Sequence, residues 1–376
     1  MKKLIIAIAA CMIFGMADAQ DRRQMGGIYH AYPYASKADN LVDDIPEGYT
    51  PFYLSHYGRH GSRWMTNDER YEWLYSYFAD RKNLTPLGRK VEKAMRKVLD
   101  NARGNGGRLS RLGAIQHEGI ARRMYSRLPQ IFAPGNRVKT RASVVDRCVK
   151  SMQAFTAMMQ SLQPALEMDI AADSADMAWI AYTAPEVKEL EKSLNIVART
   201  NPERFMAQLF KDPSRVAEHM RFMSEMQAVT SSLQDVGLNF KRYPKDIETL
   251  FDGLFTDAEF RAFYCANNLR MTICNGNYAT NDGIPARSAL SLWQNIVDEA
   301  DAALMSSKPS ATLRFGHDTS LYRLLTLLNM RYNNPYPLHP DTQQTVDSEH
   351  SDLMDVVVPM AANLQMVFYR KTTPDA

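Results

Sequence analysis

The sequence predicts an α/β fold: a mainly parallel central sheet flanked by helices, with a smaller all-α domain inserted. Segments of strand character followed by helical periodicity occur on both sides of a long middle stretch, which is the first sign. The second is that stretch itself. Residues 136–236 hold no glycine, and after the strand-like opening they are rich in Ala, Met, Leu, Glu and Gln, all good helix formers. The expected organisation is a leader over 1–19, α/β core over 20–160, a helical insert over 161–305 and the rest of the core over 306–376. A chain of 376 residues with 45% apolar residues is large enough to bury cores in both parts.

The elements follow in order. Lys2 and Lys3, the apolar run Leu4 to Met16 and the small-x-small triplet Ala17-Asp18-Ala19 read as a secretion signal cleaved before Gln20. The apolar run is too short to span a bilayer. Cys11 comes too early in that run for a lipidation site. Pro51 to Tyr57, aromatic-rich and bounded by Pro51 and Gly58, reads as a strand. Helices are expected over 68–80 and 85–101, the second with Thr85 as N-cap and Pro86 at its first position. Another helix is expected over 112–127, a strand over 136–142, and a helix over 144–160. Asn201-Pro202 and Asp212-Pro213 look like caps with first-turn prolines, and Thr256 to Glu259 matches a capping box. Strand, helix and strand then return at 311–315, 319–331 and 361–369.

Charge and cysteine usage exclude several classes. The net charge is +3, and loss of Lys2, Lys3 and Asp18 with the leader leaves +2. Such a balance argues against a nucleic-acid footprint. No later stretch is apolar enough to cross a membrane, and no obligate protein partner is evident. Three cysteines remain after the leader, an odd count that rules out a complete disulfide framework. Cys265 and Cys274 are expected on one helix, where nine residues span roughly 13 Å, beyond the reach of about 7 Å between Cα atoms in a disulfide. Free or buried thiols are expected.

Three segments place polar residues at or just past the end of an expected strand: Arg59-His60-Gly61-Ser62-Arg63, Arg141 to Arg147, and Gly316-His317-Asp318. In open α/β sheets ligands bind at the carboxyl ends of the strands. Convergence there would gather several guanidinium groups around two imidazoles, an arrangement that repels itself unless an anion fills it. Planar guanidinium forks match phosphate oxygens two at a time.

The first segment resembles the Arg-His-Gly-x-Arg signature of the histidine phosphatase superfamily. Gly316-His317-Asp318 resembles the second signature of its acid phosphatase branch, which includes phytases, and Arg141 to Arg147 resembles that branch's arginine-bearing stretch. The run Leu54 to Arg63 and the closing Val358 to Asn363 are similar to bacterial relatives of multiple inositol polyphosphate phosphatases. Two positions depart from the family: Met65 stands where proline is usual, and His317-Asp318-Thr319 replaces the His-Ala-Glu of the animal type. The resemblance implies a phosphomonoesterase with His60 as nucleophile and Asp318 as proton donor. Arg59, Arg63, Arg147 and His317 would bind the phosphoryl group, with no metal and no cofactor. The partner implied is a small phosphate ester, with phytate favoured over a broad acid or sugar phosphatase substrate. A binding protein that has lost catalysis is the non-enzyme alternative.

Duller readings stand beside these. Asp318 is a favoured N-cap for the helix after it. Arg147 fits a helix surface, and Arg141 fits a strand-end orienter. His56 reads as core or as support behind the site. Lys139, Arg141 and Lys150 are candidates for further phosphates, and the polar run from His339 to His350 reads as a pocket rim, since its spacing fits no standard zinc pattern.

Overall fold

The computed structural model describes residues 22–32, 45–278, 281–330 and 357–372. The leader and the run from His339 to His350 lie outside the described residues. Five strands, β1 (Tyr49–Arg59), β2 (Arg137–Ala142), β3 (Glu167–Ala171), β4 (Ser310–Gly316) and β5 (Asn363–Lys371), form one sheet in the order β3-β2-β4-β1-β5. β3, β2, β4 and β1 run parallel, and β5 joins β1 antiparallel as the far edge. β1 is buried on both faces, as suits a strand of large aromatic and apolar residues between two neighbours.

The helices used below are α1 (Glu69–Ser76), α2 (Pro86–Ala102), α3 (Arg111–Arg127), α4 (Asp146–Leu162), α5 (Pro202–Leu209), α6 (His219–Val236), α7 (Asp257–Asn275), α8 (Leu290–Leu304) and α9 (Asp318–Leu327). Their starts follow the expected chemistry. Thr85 accepts from the Gly88 N–H ahead of Pro86, Asn201 accepts from the Glu203 N–H, and Thr256 and Glu259 close a capping box. Asp212 caps only a 3-10 turn, Pro213–Arg215. Cys265 and Cys274 both lie on α7, and neither is in a disulfide.

One face of the sheet, with Leu54, Val138, Leu313 and Phe315, buries itself against Ile120 and Met124 of α3 and Met152 and Phe155 of α4. On the opposite face Tyr57 meets Leu292 and Ile296 of α8 and Leu321 and Leu324 of α9. A third core is helical, with residues of α1, α2, α5, α6 and α7 packed around Phe78, Phe222 and Phe255.

The grouping in space differs from the blocks along the chain. β3 lies inside the stretch expected to be all-helical. Its residues, Glu167-Met-Asp-Ile-Ala171, include good helix formers, but β2 offers an open ladder edge and the parallel pairing of Arg137–Arg141 with Glu167–Ala171 overrides propensity. Conversely, α1 and α2 precede residue 160 yet join the helical core, because the strongly one-sided α2 needs a partner for Val91, Met95 and Leu99.

His56 is buried between Phe155 and Phe315, and His117 of α3 packs on Phe315 from another side. Burial pushes both imidazoles down to about 3, His56 with a further push from His117 and Arg314. An unfolded histidine takes up its proton near 6.5, so between about 6.5 and 3 the unfolded chain holds more protons than the native one. Stability therefore falls as pH drops through that window, by up to about 1.4 kcal/mol per pH unit for each group. Denaturant midpoints measured from pH 7 to 4 should decline less steeply for His56→Phe than for the parent chain. Parallel curves would contradict this.

Candidate active site

The three polar segments meet because β1, β4 and β2 are adjacent parallel strands that end level. Arg59 lies beside Gly316, and Phe315 lies beside Ala142. Backbone bonds continue past the ladder: the His60 N–H donates to the Gly316 carbonyl at 2.9 Å and the Ser143 N–H to the Phe315 carbonyl at 2.9 Å. The Ala361 N–H donates to the His60 carbonyl at 3.0 Å. His60 and His317 thereby face each other with ring centroids 5.9 Å apart.

His60 is buried, and its Nδ1 lies 2.9 Å from the Gly61 carbonyl. A carbonyl can only accept, so Nδ1 carries the proton and Nε2 keeps its lone pair. Burial, then Arg59, Arg63 and Arg147, hold the imidazole well below its ordinary value, so it is neutral even in mild acid.

Arg59 is fully buried. Its Nη1 donates to the Ile28 and Val358 carbonyls, and its Nη2 lies 2.9 Å from Asp318 Oδ2, an ion pair without hydrogen-bond alignment. Arg63 donates to the Trp64 carbonyl and sits over the Tyr29 ring. The Nε–H groups of Arg59, Arg63 and Arg147 find no acceptor among the described residues. Buried donors of this kind are ordinarily paired, so the cluster is built to receive an anion. Burial, with Arg63 next, lowers Arg147.

His317 Nε2 lies 3.0 Å from the Ser143 hydroxyl, and burial, then Arg147, lowers this imidazole to about 4. His317, not Asp318, is the N-cap of α9; Asp318 is its first residue, and its Oδ1 accepts from the neighbouring Thr319 N–H at 2.9 Å while the carboxyl faces Arg59. Burial pushes its carboxyl up, but Arg59, Arg63 and His317 more than offset this and hold it below the usual carboxylate range. All six residues singled out from the sequence thus lie in one cluster.

Other candidates stand apart from this cluster or are already engaged. Lys139 pairs with Glu299, Arg141 with Asp169 and Asp176, and exposed Lys150 donates to Gln153. Arg141 is therefore a strand-end anchor. Met65 has a physical reason of its own: its N–H donates to the Tyr71 hydroxyl at 3.0 Å, which proline cannot do, and its side chain fills the helical core.

Sequence reading missed the residues that hold the loop. Gly61 touches the α3 backbone, where an added Cβ would come within 2.5 Å of the Gly113 carbonyl oxygen. A Cβ on Gly113 would meet the Ser62 carbonyl oxygen at 2.3 Å. Ser151, Gln116 and Asp235 bond to Gly61 and Ser62. Their only sequence signal is polarity on otherwise apolar helix faces.

A family model described as the histidine phosphatase superfamily (branch 2) matches residues 58–375. Multiple inositol polyphosphate phosphatase 1 of Gallus gallus is 25% identical over 276 residues, 70% of this chain and 59% of that relative, less than two thirds of its length. The multiple inositol polyphosphate phosphatase of Bifidobacterium longum in complex with phosphate aligns with a TM-score of 0.71 at 16% identity, over 94% of this chain and 88% of that one. The phytase from D. castellii aligns at 0.64 and 14% identity, over 93% and 76%. These two likenesses concern the fold.

Gly113→Ala should push the loop bearing His60 off its seat. The variant is expected to melt below the parent chain, with a loss of about 1–3 kcal/mol as for overpacking, and to bind orthophosphate more weakly by calorimetry. Unchanged melting and phosphate binding would count against this seating.

Proposed function

The chain belongs to the histidine phosphatase superfamily (branch 2), and on that premise we propose that it hydrolyses phosphate monoesters through a phosphohistidine on His60. The observation that carries this reading is a neutral His60 with its proton on Nδ1, ringed by guanidinium groups whose Nε–H donors lack acceptors among the described residues. Nε2 attacks phosphorus, the ester oxygen departs with a proton from Asp318, and water then attacks the phosphohistidine with the Asp318 carboxylate taking its proton. Arg59, Arg63, Arg147 and His317 bind the phosphoryl oxygens as charge gathers on them in the transition state.

Inositol polyphosphates are the favoured substrates, supported by the names of the relatives. A second reading, a phosphatase of small sugar or aryl esters, is favoured by one observation. Lys139 and Arg141, candidate cations for additional phosphates, are occupied by carboxylates. Turnover of phytate, glucose phosphate and an aryl phosphate by one preparation separates the two. Export is part of the proposal and rests on the leader pattern; N-terminal sequencing of the exported protein should begin at Gln20.

His60→Ala should abolish phosphate release from every ester, a loss of at least about 10³-fold as for other removed nucleophiles. Residual turnover within tenfold of the parent would sink the mechanism.

The pH dependence follows from Asp318. In the free site the arginines hold its carboxyl down, so a proton donor is available only when bound phosphoryl charge offsets them. Activity should peak in acid and fall as pH rises, because Asp318 loses its proton while His60 is neutral throughout. Asp318→Asn should lose that falling limb and slow alkyl esters far more than aryl esters, whose leaving groups need less protonation. An intact limb in the variant, or equal losses on both esters, would contradict the role.

A further inference from the structure

Ser62, between the proposed nucleophile and Arg63, has every polar group engaged. Its N–H donates to Gln116 Oε1 at 2.8 Å, and its Oγ accepts from Gln116 Nε2 at 3.0 Å. Its carbonyl accepts from the Ser110 N–H at 2.8 Å and the Ser110 hydroxyl at 3.0 Å. Its hydroxyl donates to Asp235 Oδ1 at 2.5 Å. Gln116 belongs to α3 and Ser110 caps it, whereas Asp235 arrives from α6 across the helical core. The neighbouring Gly61 N–H donates to Ser151 of α4 at 3.1 Å.

Asp235 is wholly buried next to Leu233 and Val236, which belong to the helical core, and its second oxygen has no hydrogen-bond partner among the described residues. A carboxyl in such a place weakens a core, where an apolar residue of similar volume would strengthen it. Burial raises it to about 7 against the pull of the Ser62 hydroxyl and of Arg63 and Arg59. A core made for stability alone gives no reason for it, whereas the anchoring of Ser62 does.

We propose that Asp235 is a positioning residue. By accepting the Ser62 hydroxyl it ties the helical lobe to the catalytic loop and holds His60 and Arg63 in line with the phosphoryl group. This rests on the phosphatase reading above. It predicts that substitutions at α6 act on turnover without touching substrate.

The test is a series made in the full chain: Asp235→Leu, Asp235→Asn, Ser62→Ala, Ser62→Thr and the double variant Asp235→Leu/Ser62→Ala, assayed on one aryl phosphate. Asp235→Leu and Ser62→Ala should each lower kcat by about 10- to 100-fold, the usual consequence of a misplaced reacting group, with KM changed less than about threefold. Asp235→Asn and Ser62→Thr, which keep an acceptor or a hydroxyl, should each recover a large part of their partner variant's loss. The double variant should be no slower than the worse single one, because both remove the same link. Multiplying losses, no recovery by Asn or Thr, or a folded Asp235→Leu with the parent's kcat would each overturn the proposal. If Asp235→Leu does not fold, the Ser62 pair decides it. Absence of turnover in the parent chain would instead sink the phosphatase reading, so the two failures are distinguishable.

Discussion

Guanidinium groups gathered in a protein interior repel one another, and the rest of this structure is arranged to keep three of them converging on one neutral imidazole. Arg59 shows how. Its Nη1 is clamped by two backbone carbonyls, from Ile28 and Val358, and its Nη2 leans on Asp318. Arg63 is held by the Trp64 carbonyl and the face of Tyr29. Both are restrained through Nη1, and with Arg147 they keep Nε–H donors that meet no acceptor among the described residues and that an anion can use. An open parallel sheet makes this possible, since it delivers three separate chain segments to the same edge.

The same burial that keeps His60 neutral opposes stability in acid. His56, His117 and His317 are lowered as well, so each resists a proton that the unfolded chain accepts. The arginines around Asp318 disfavour its protonation in the empty site, while the buried histidines favour unfolding in acid. Large apolar cores on both sheet faces and in the helical lobe supply the margin against that tendency.

Much of this was legible in the chain. β1, β2, β4 and β5 announce themselves by aromatic and β-branched runs, and Thr85-Pro86 and Thr256 to Glu259 mark helix starts by side-chain chemistry that acts within four residues. The six clustered site residues were readable because loop motifs at strand ends are contiguous. β3 was not, since an edge strand with good helix formers is stabilised by its partner β2, 30 residues earlier. Asp235 and Gln116 were not either. Each is a single polar residue on a helix, and its meaning exists only once α6 and α3 lie against the loop. Met65 illustrates the same point: its departure from the family pattern is explained by the Tyr71 hydroxyl that its N–H reaches.

On the proposed mechanism, Nε2 of His60 at the sheet edge takes the phosphoryl group. Rapid alkaline-side quenching during turnover of an aryl phosphate, followed by mass spectrometry of peptides, tests it most directly. Phosphorylation is expected on His60, lost in acid and stable in base. Turnover with no phosphorylated peptide, or with the group on any other residue, would contradict it.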